Sequence, residues 1–423
     1  MFSNSIQLKH TTMNCEDFNI TKRNALFCTG TYEIGGDGEP DNAIDWININ
    51  EAFTSYSWLK NNHGNYKLAI LDTGLDEGTF VYFRNKYSSS LLNLRLFNAN
   101  GQEVQPYDAI DYVSEFHHGT FVTSIIIQLL ERDSHNVNAQ IDVYVIADSD
   151  GDFDEDIMYD QLNRIKTWNT QNPNNRYKVI TTAYRDSKTS EPSYTSLINQ
   201  LVSNQNCIFI AASGNYVYGD LEHGTDPDDE NWGSYPSKLP KVIGAGGIYG
   251  YNVPTEYSSK KINRMTVQSA FRKPEFKTGG YWLGSCYKHN APLSTAGVEL
   301  AAPGFKIEGF MDKDGLEGVE NYIATGTSLS APQVAVAAYL AARAKYYLDS
   351  SDPLTYDDFY AAIVQSSEND PSGRYKSTYD KIRHEKVGIP TANLGTYTTY
   401  FSYRVGYGSL DVHDMIEFIT DLS

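Results

Sequence analysis

Three short segments of this chain place a chemically active side chain beside glycine, at the end of a strand or the start of a helix. The first is Leu71-Asp72-Thr73-Gly74, directly after the run Lys67-Leu68-Ala69-Ile70-Leu71. Open parallel sheets carry functional groups at the carboxyl ends of their strands, and Gly74 permits a sharp turn there. The same aspartate also reads as a turn residue capping the next segment. The second is His118-Gly119-Thr120, before Val122, Ile125, Ile126 and Leu129 at helical spacing. A histidine on such a rigid start is placed as a general base, or as a surface cap. His117 is adjacent, so the following Gly-Thr singles out His118. The third is Gly326-Thr327-Ser328-Leu329-Ser330-Ala331-Pro332, opening an Ala-rich helix. Backbone N–H groups converge there and can hold an oxyanion after Ser328 attacks a carbonyl. Ser328 also reads as an N-cap, and Pro332 near the helix start fits that reading too.

Each segment alone is ambiguous, but their combination is more specific. Asp72, His118 and Ser328 follow one another at separations of 46 and 210 residues. That order differs from the orders of chymotrypsin and of the α/β-hydrolases, and matches that of subtilisin. With these motifs the chain resembles the subtilase family of serine peptidases. His118-Gly119-Thr120-Phe121-Val122 carries Phe121 where the family usually has a second histidine, and Leu329 stands where methionine is common. Four further segments are similar: Ala212-Ser213-Gly214-Asn215, Tyr235-Pro236-Ser237, Ala302-Pro303-Gly304 and Gly406-Tyr407-Gly408-Ser409-Leu410-Asp411-Val412. The likeness covers roughly residues 65–348 and 403–420.

The resemblance implies an Asp72–His118–Ser328 triad, with the Asn215 side chain donating to the oxyanion. It implies substrate contacts at Ala183, Tyr184 and Arg185, at Ala212, Ser213 and Gly214, and along the acidic edge at Asp150, Gly151 and Asp152. One segment departs from the family: Ala183-Tyr184-Arg185-Asp186 replaces a small Ser-Leu-Gly-type segment, and its bulk would narrow the cleft. The family's calcium loop after the histidine helix is also missing. Residues 148–156 alternate carboxylates as calcium loops do, but lack glycine at the sixth position and glutamate at the twelfth. No cofactor is expected, and calcium at this segment stays open.

The elements that must position these residues read as α/β. Apolar strands are expected at 67–71, 141–146, 178–182, 207–212 and 241–244, with helices at 119–130, 156–168, 194–203 and 331–348. Fully apolar strands alternating with helices imply a mostly parallel central sheet with helices on both faces. Residues 1–64 read as an N-terminal extension or pro-segment. Residues 65–423 read as the catalytic domain, with a family-atypical insertion near 352–402 that reads as a helix followed by an irregular stretch. Ala302-Pro303-Gly304 reads as a loop.

The net charge of −19, without a basic cluster, argues against nucleic acid. No apolar run spans a membrane, and Met1 to His10 does not read as a signal peptide, so a cytoplasmic location is expected. The four cysteines, Cys15, Cys28, Cys207 and Cys286, contain no CxxC pair, so no zinc site is expected. The expected partner is a peptide or protein substrate, and the expected activity serine endopeptidase. Two acidic tracts, 148–156 and 226–230, suggest a preference for Lys or Arg near the cleaved bond. The alternatives are a macrocyclase or transpeptidase on the same fold, and a non-catalytic binding module.

Overall fold

Every residue of β1 (Lys67–Asp72) is buried, as a strand covered on both faces must be. In the computed structural model, described residues are 47–60, 66–87, 92–104, 117–131, 137–148, 152–186, 190–218, 235–248, 282–285, 297–304, 307–312, 319–324, 326–368, 385–391, 395–401 and 406–422. Helix α1 (Ile49–Ser55) precedes β1, and α2 (Glu77–Lys86) follows it. Then come β2 (Leu92–Phe97), β3 (Glu103–Val104), α3 (His118–Glu131), β4 (Ala139–Val145), α4 (Glu155–Gln171), β5 (Tyr177–Thr182) and α5 (Thr195–Gln205). The chain continues through β6 (Ile208–Ala212), β7 (Asn215–Tyr218), β8 (Val242–Ile248), β9 (Trp282–Ser285) and β10 (Leu300–Pro303). After the hairpin of β11 (Ile307–Met311) and β12 (Glu320–Ala324) come α6 (Ser330–Leu348) and α7 (Tyr356–Glu368). A second hairpin, β13 (Glu385–Thr391) and β14 (Gly395–Phe401), precedes α8 (Val412–Asp421).

Eight strands form one sheet in the order β10-β8-β6-β5-β1-β4-β2-β3. All pairings are parallel except β2 with β3. β1 lies between β4 and β5, so the chain winds outward one way through β2 and the other way through β5, β6 and β8. The ends of β1 and β5 therefore form a switch point, where open α/β sheets leave a crevice.

Alternation along β1 sorts the helices into two layers. Leu68 and Ile70 join the core cluster built on α3, α6 and α8. Ala69 and Leu71 join the opposite cluster, built on α4 and α5. Helix α6 is buried at every position from Ser330 to Lys345, the mark of a helix inside a large core. Its alanines let it approach α3 and the sheet closely. Helix α1 and the turn Ser57–Lys60 pack on α8 and α6, and Ile47, Ile49, Phe53 and Leu59 are in the main core. Trp58 stacks on Tyr347 near the carboxyl end of α6, with ring centroids 4.6 Å apart.

Two expectations need correction. Leu300–Pro303 is not a loop but edge strand β10, paired in register with Ala245 to Ile248. Only Gly304 lies beyond its end. The segment near 352–402 begins with a helix, α7, as expected, but where an irregular stretch was expected it holds an antiparallel hairpin in which Ile389 pairs with Tyr397. Proline at a strand end and a polar, Thr-rich alternation mask both elements in the sequence. No helix among the described residues is long and apolar enough to cross a membrane.

Candidate active site

Asp72 is the last residue of β1 and fully buried. The turn after it is built by its own hydrogen bonds: Asp72 Oδ1 accepts from the Thr73 amide at 2.8 Å and the Thr73 hydroxyl at 3.3 Å. Gly74 then takes a φ of 123°, open to glycine at no steric cost. Helix α3 begins directly on this turn. The Gly119 amide donates to Thr73 Oγ1 at 2.8 Å, and the Asp76 amide donates to Thr120 Oγ1 at 2.7 Å. A Cβ on Gly119 would lie 2.3 Å from the Gly74 carbonyl oxygen. The Gly-Thr after the histidine is thus what lets the helix start sit against the strand end.

That docking brings His118 Nδ1 to 2.5 Å from Asp72 Oδ1, with both side chains buried. With the proton on Nδ1, Nε2 is left as the accepting nitrogen. His117 is in the left-handed region at φ 47°, and its Nδ1 lies 3.6 Å from Asp76 Oδ2. The Phe121 ring packs over β11 so closely that a Cβ on Gly309 would lie 2.7 Å from it.

Ser328 sits in the short 3-10 turn Thr327–Leu329 that leads into α6. The turn is tied to β10: the Gly326 amide donates to Gly304 O at 2.7 Å, and Ser330 Oγ donates to Ala302 O at 2.9 Å. Gln333 Nε2 donates to Pro303 O at 2.5 Å. The turn also neighbours α3 and β6. Ser328 Oγ donates to the Ala183 carbonyl, 3.1 Å away, at the end of β5.

Asn215 begins β7, just after Gly214 at φ 95°. Its Oδ1 accepts from the Thr327 amide at 2.9 Å and from the Thr327 hydroxyl at 3.0 Å. The Gly214 amide donates to the same hydroxyl at 3.1 Å. With Oδ1 occupied, the donor end, Nδ2, is turned toward Gly326, where a Cβ would come within 3.1 Å of it. Thr327 is the residue sequence reasoning missed. It stood inside the quoted serine motif, but only its distant partner gives it a task.

Of the predicted substrate contacts, Ala183, Tyr184 and Arg185 follow β5, while Ala212, Ser213 and Gly214 close β6. Ala212, Ser213 and Tyr184 are buried. The Asp186 backbone exchanges two hydrogen bonds with Tyr235, at 2.8 and 3.1 Å. Asp152 is half-buried, and its amide donates to Asp148 Oδ1 at 3.1 Å. Asp150 and Gly151, and the tract 226–230, lie outside the described residues. Among the described residues, His413, Asp414 and Glu417 bring ligand atoms within 4.8 Å of one another, on α8, which carries none of the predicted site residues. Cys207 is buried as a free thiol, pushed up to about 11 by burial.

A family model described as the subtilase family matches residues 63–408. No curated protein matches the chain. Among solved structures, the chain is similar to one titled "Structure of Prenylagaramide maturation protease PagA", at 15% identity and a TM-score of 0.49, over 88% of this chain and 98% of that one.

Proposed function

The chain belongs to the subtilase family of serine peptidases, and we propose that it is an endopeptidase working through Asp72, His118, Ser328 and Asn215. The contact of 2.5 Å between Asp72 Oδ1 and His118 Nδ1, at the start of a helix docked on the strand end, carries this reading. In the proposed cycle the Ser328 hydroxyl turns from the Ala183 carbonyl to His118 Nε2. His118 takes its proton as Ser328 attacks the peptide carbonyl, and Asp72 stabilises the imidazolium. The oxyanion is held by Asn215 Nδ2 and backbone N–H groups. The imidazolium protonates the leaving amine, and water, deprotonated by His118, releases the acid from the acyl-enzyme.

A preference for Lys or Arg near the cleaved bond is part of the proposal. It is supported by Asp148, Asp152, Asp154 and Asp156, which neighbour in sequence the Phe153 whose ring stacks on Tyr184. Residues 47–60 are taken as a permanent part of the catalytic domain, because their apolar side chains complete its core. A second reading, transfer of the acyl group to an amine, is favoured by one observation. The buried Tyr184 ring packs edge-on against the His118 imidazole and so covers one side of the base.

Proteomic cleavage-site profiling with a Ser328→Ala control tests the reading. Cleavage by the wild type alone, enriched beside Lys and Arg, is the expected result. Equal cleavage by the control removes the endopeptidase proposal, and a profile without basic enrichment removes the preference. Cyclic or ligated products in the same mass spectra would favour acyl transfer.

A further inference from the structure

Tyr184 follows the carbonyl that accepts from Ser328, yet its side chain is 4% exposed. Its ring meets the His118 imidazole nearly at right angles, with centroids 5.4 Å apart and an interplanar angle of 70°. On another side it stacks on Phe153, at 6.0 Å and 26°. Phe153 in turn meets the fully buried Tyr194 edge-on at 6.4 Å. Phe153 is itself anchored by an antiparallel bridge to Ala147 and by the Asp154 amide donating to Ile146 O at 3.1 Å. A column of rings thus runs from the N-terminus of α5, through the loop that leads into α4, to the imidazole.

Asp72 holds His118 through Nδ1. Proton transfer requires the far nitrogen to meet the serine within hydrogen-bond reach, so the plane of the ring matters as well as its Nδ1 contact. A flat side chain packed against the imidazole restricts that plane. We infer that Tyr184 is a positioning residue, whose ring, backed by Phe153, holds the His118 plane so that Nε2 meets Ser328. This rests on His118 being the base. The phenol hydroxyl has no part in it. A misplacement of about 1 Å can cost a hundredfold in rate, so loosening one ring contact is expected to cost about tenfold.

The test is the rate at which a small dialkyl fluorophosphonate labels the full-length chain, with Ser328→Ala as the blank. Such a probe makes no outer-pocket contacts, so its rate reports the Ser–His pair rather than peptide binding. Tyr184→Phe is expected to label within about twofold of wild type and Tyr184→Leu about tenfold more slowly, both with wild-type circular dichroism. A Leu variant within about threefold of wild type overturns the inference, as does a Phe variant as slow as the Leu variant. If Tyr184→Leu does not fold, Phe153→Leu takes its place under the same criteria. The imidazole Nδ1 proton, expected far downfield in NMR spectra because of its short contact with Asp72 Oδ1, separates this inference from the functional one. Its exchange broadening in Tyr184→Leu but not in Tyr184→Phe supports positioning even if the wild type takes no label, a result that would sink the proposed function instead. An unchanged resonance in Tyr184→Leu counts against positioning.

Discussion

Asn215 and Thr327 are joined twice, because the amide and the hydroxyl of Thr327 both donate to Asn215 Oδ1. The pair fixes which way the Asn215 amide points, and therefore which of its ends faces the site. This separates two roles that an alanine substitution would merge. Asn215→Asp keeps the acceptor for Thr327 and loses the donor. It is expected to lower kcat by roughly a hundredfold to a thousandfold, as much as Asn215→Ala, with little change in thermal stability. Steady-state hydrolysis of a peptide substrate reads this. An Asp variant near wild-type activity would remove Asn215 from the oxyanion hole.

Asp72→Asn is expected to leave the fold intact, since the Thr73 amide and hydroxyl, and His118 Nδ1, can still donate to the side-chain oxygen. The neutral amide would however no longer stabilise the His118 imidazolium, and kcat should fall by up to roughly ten-thousand-fold. Fluorophosphonate labelling and a thermal melt together check this. A variant that melts normally and labels at the wild-type rate would contradict it.

Gly119→Ala places a methyl group 2.3 Å from the Gly74 carbonyl oxygen, a backbone atom that cannot swing aside. The helix start must lift from the strand end, at a cost of about 2–3 kcal/mol in stability. Activity should fall further than stability, because the His118–Asp72 contact opens with it. Chemical denaturation and labelling rate, measured on the same preparation, distinguish the two effects.

Glu131, the last residue of α3, is buried with neither carboxylate oxygen hydrogen-bonded among the described residues. Burial pushes its carboxyl up to about 8, with Arg343 pulling the other way. Burial likewise pushes Glu299 up to about 8, and the Gly244 amide pulls it back. The folded state therefore keeps protons that the unfolded chain releases above about pH 4.5, and stability should fall as pH rises from there to about 8. Glu131→Gln should flatten this slope without abolishing it, since Glu299 keeps its share. Melting temperatures across that range test it, and an unchanged slope would mean that Glu131 is already ionised in the fold.

Ile47, Ile49, Phe53 and Leu59 are each nearly fully buried, worth about 1.5–3 kcal/mol apiece. Removal of residues 1–60 should leave an insoluble or unfolded chain. The N-terminal sequence of active protein is expected to begin no later than Ile47. Active material starting beyond Leu59 would show that this stretch is dispensable.

The sheet is largely legible in the sequence because its inner strands lie between two helical layers and so read as unbroken apolar runs. Val179-Ile180 and Ile208-Phe209-Ile210 are of this kind. The helix starts at His118 and near Ser330 are legible because glycine and small residues precede periodic apolar positions. Short pieces are less so. Leu300–Pro303 is four residues long and ends in proline, while β13 is interrupted by glycine and proline and β14 mixes threonine with aromatic residues, so neither reads as an apolar run. In the site, Asp72, His118 and Asn215 stand at strand ends or a helix start, where local pattern suffices. Thr327 and Phe153 act through partners 112 and 31 positions away, Asn215 and Tyr184, and no local pattern encodes such contacts.

Helix α6 reaches from beside Ser328 to the turn Ser57–Lys60, where Trp58 stacks on Tyr347, a span of about 28 Å at 1.5 Å per residue. Ala331, Ala335, Ala337, Ala338, Ala341, Ala342 and Ala344 are all wholly buried along it. Such a helix leaves almost no room for drift. A saturation library screened for activity should find these methyl-sized positions nearly as intolerant as the site itself, for reasons of volume and not of chemistry. Sequence variation in this protein would then concentrate on the rims of the cleft, where substrate choice is made, while the axis that carries the serine stays small.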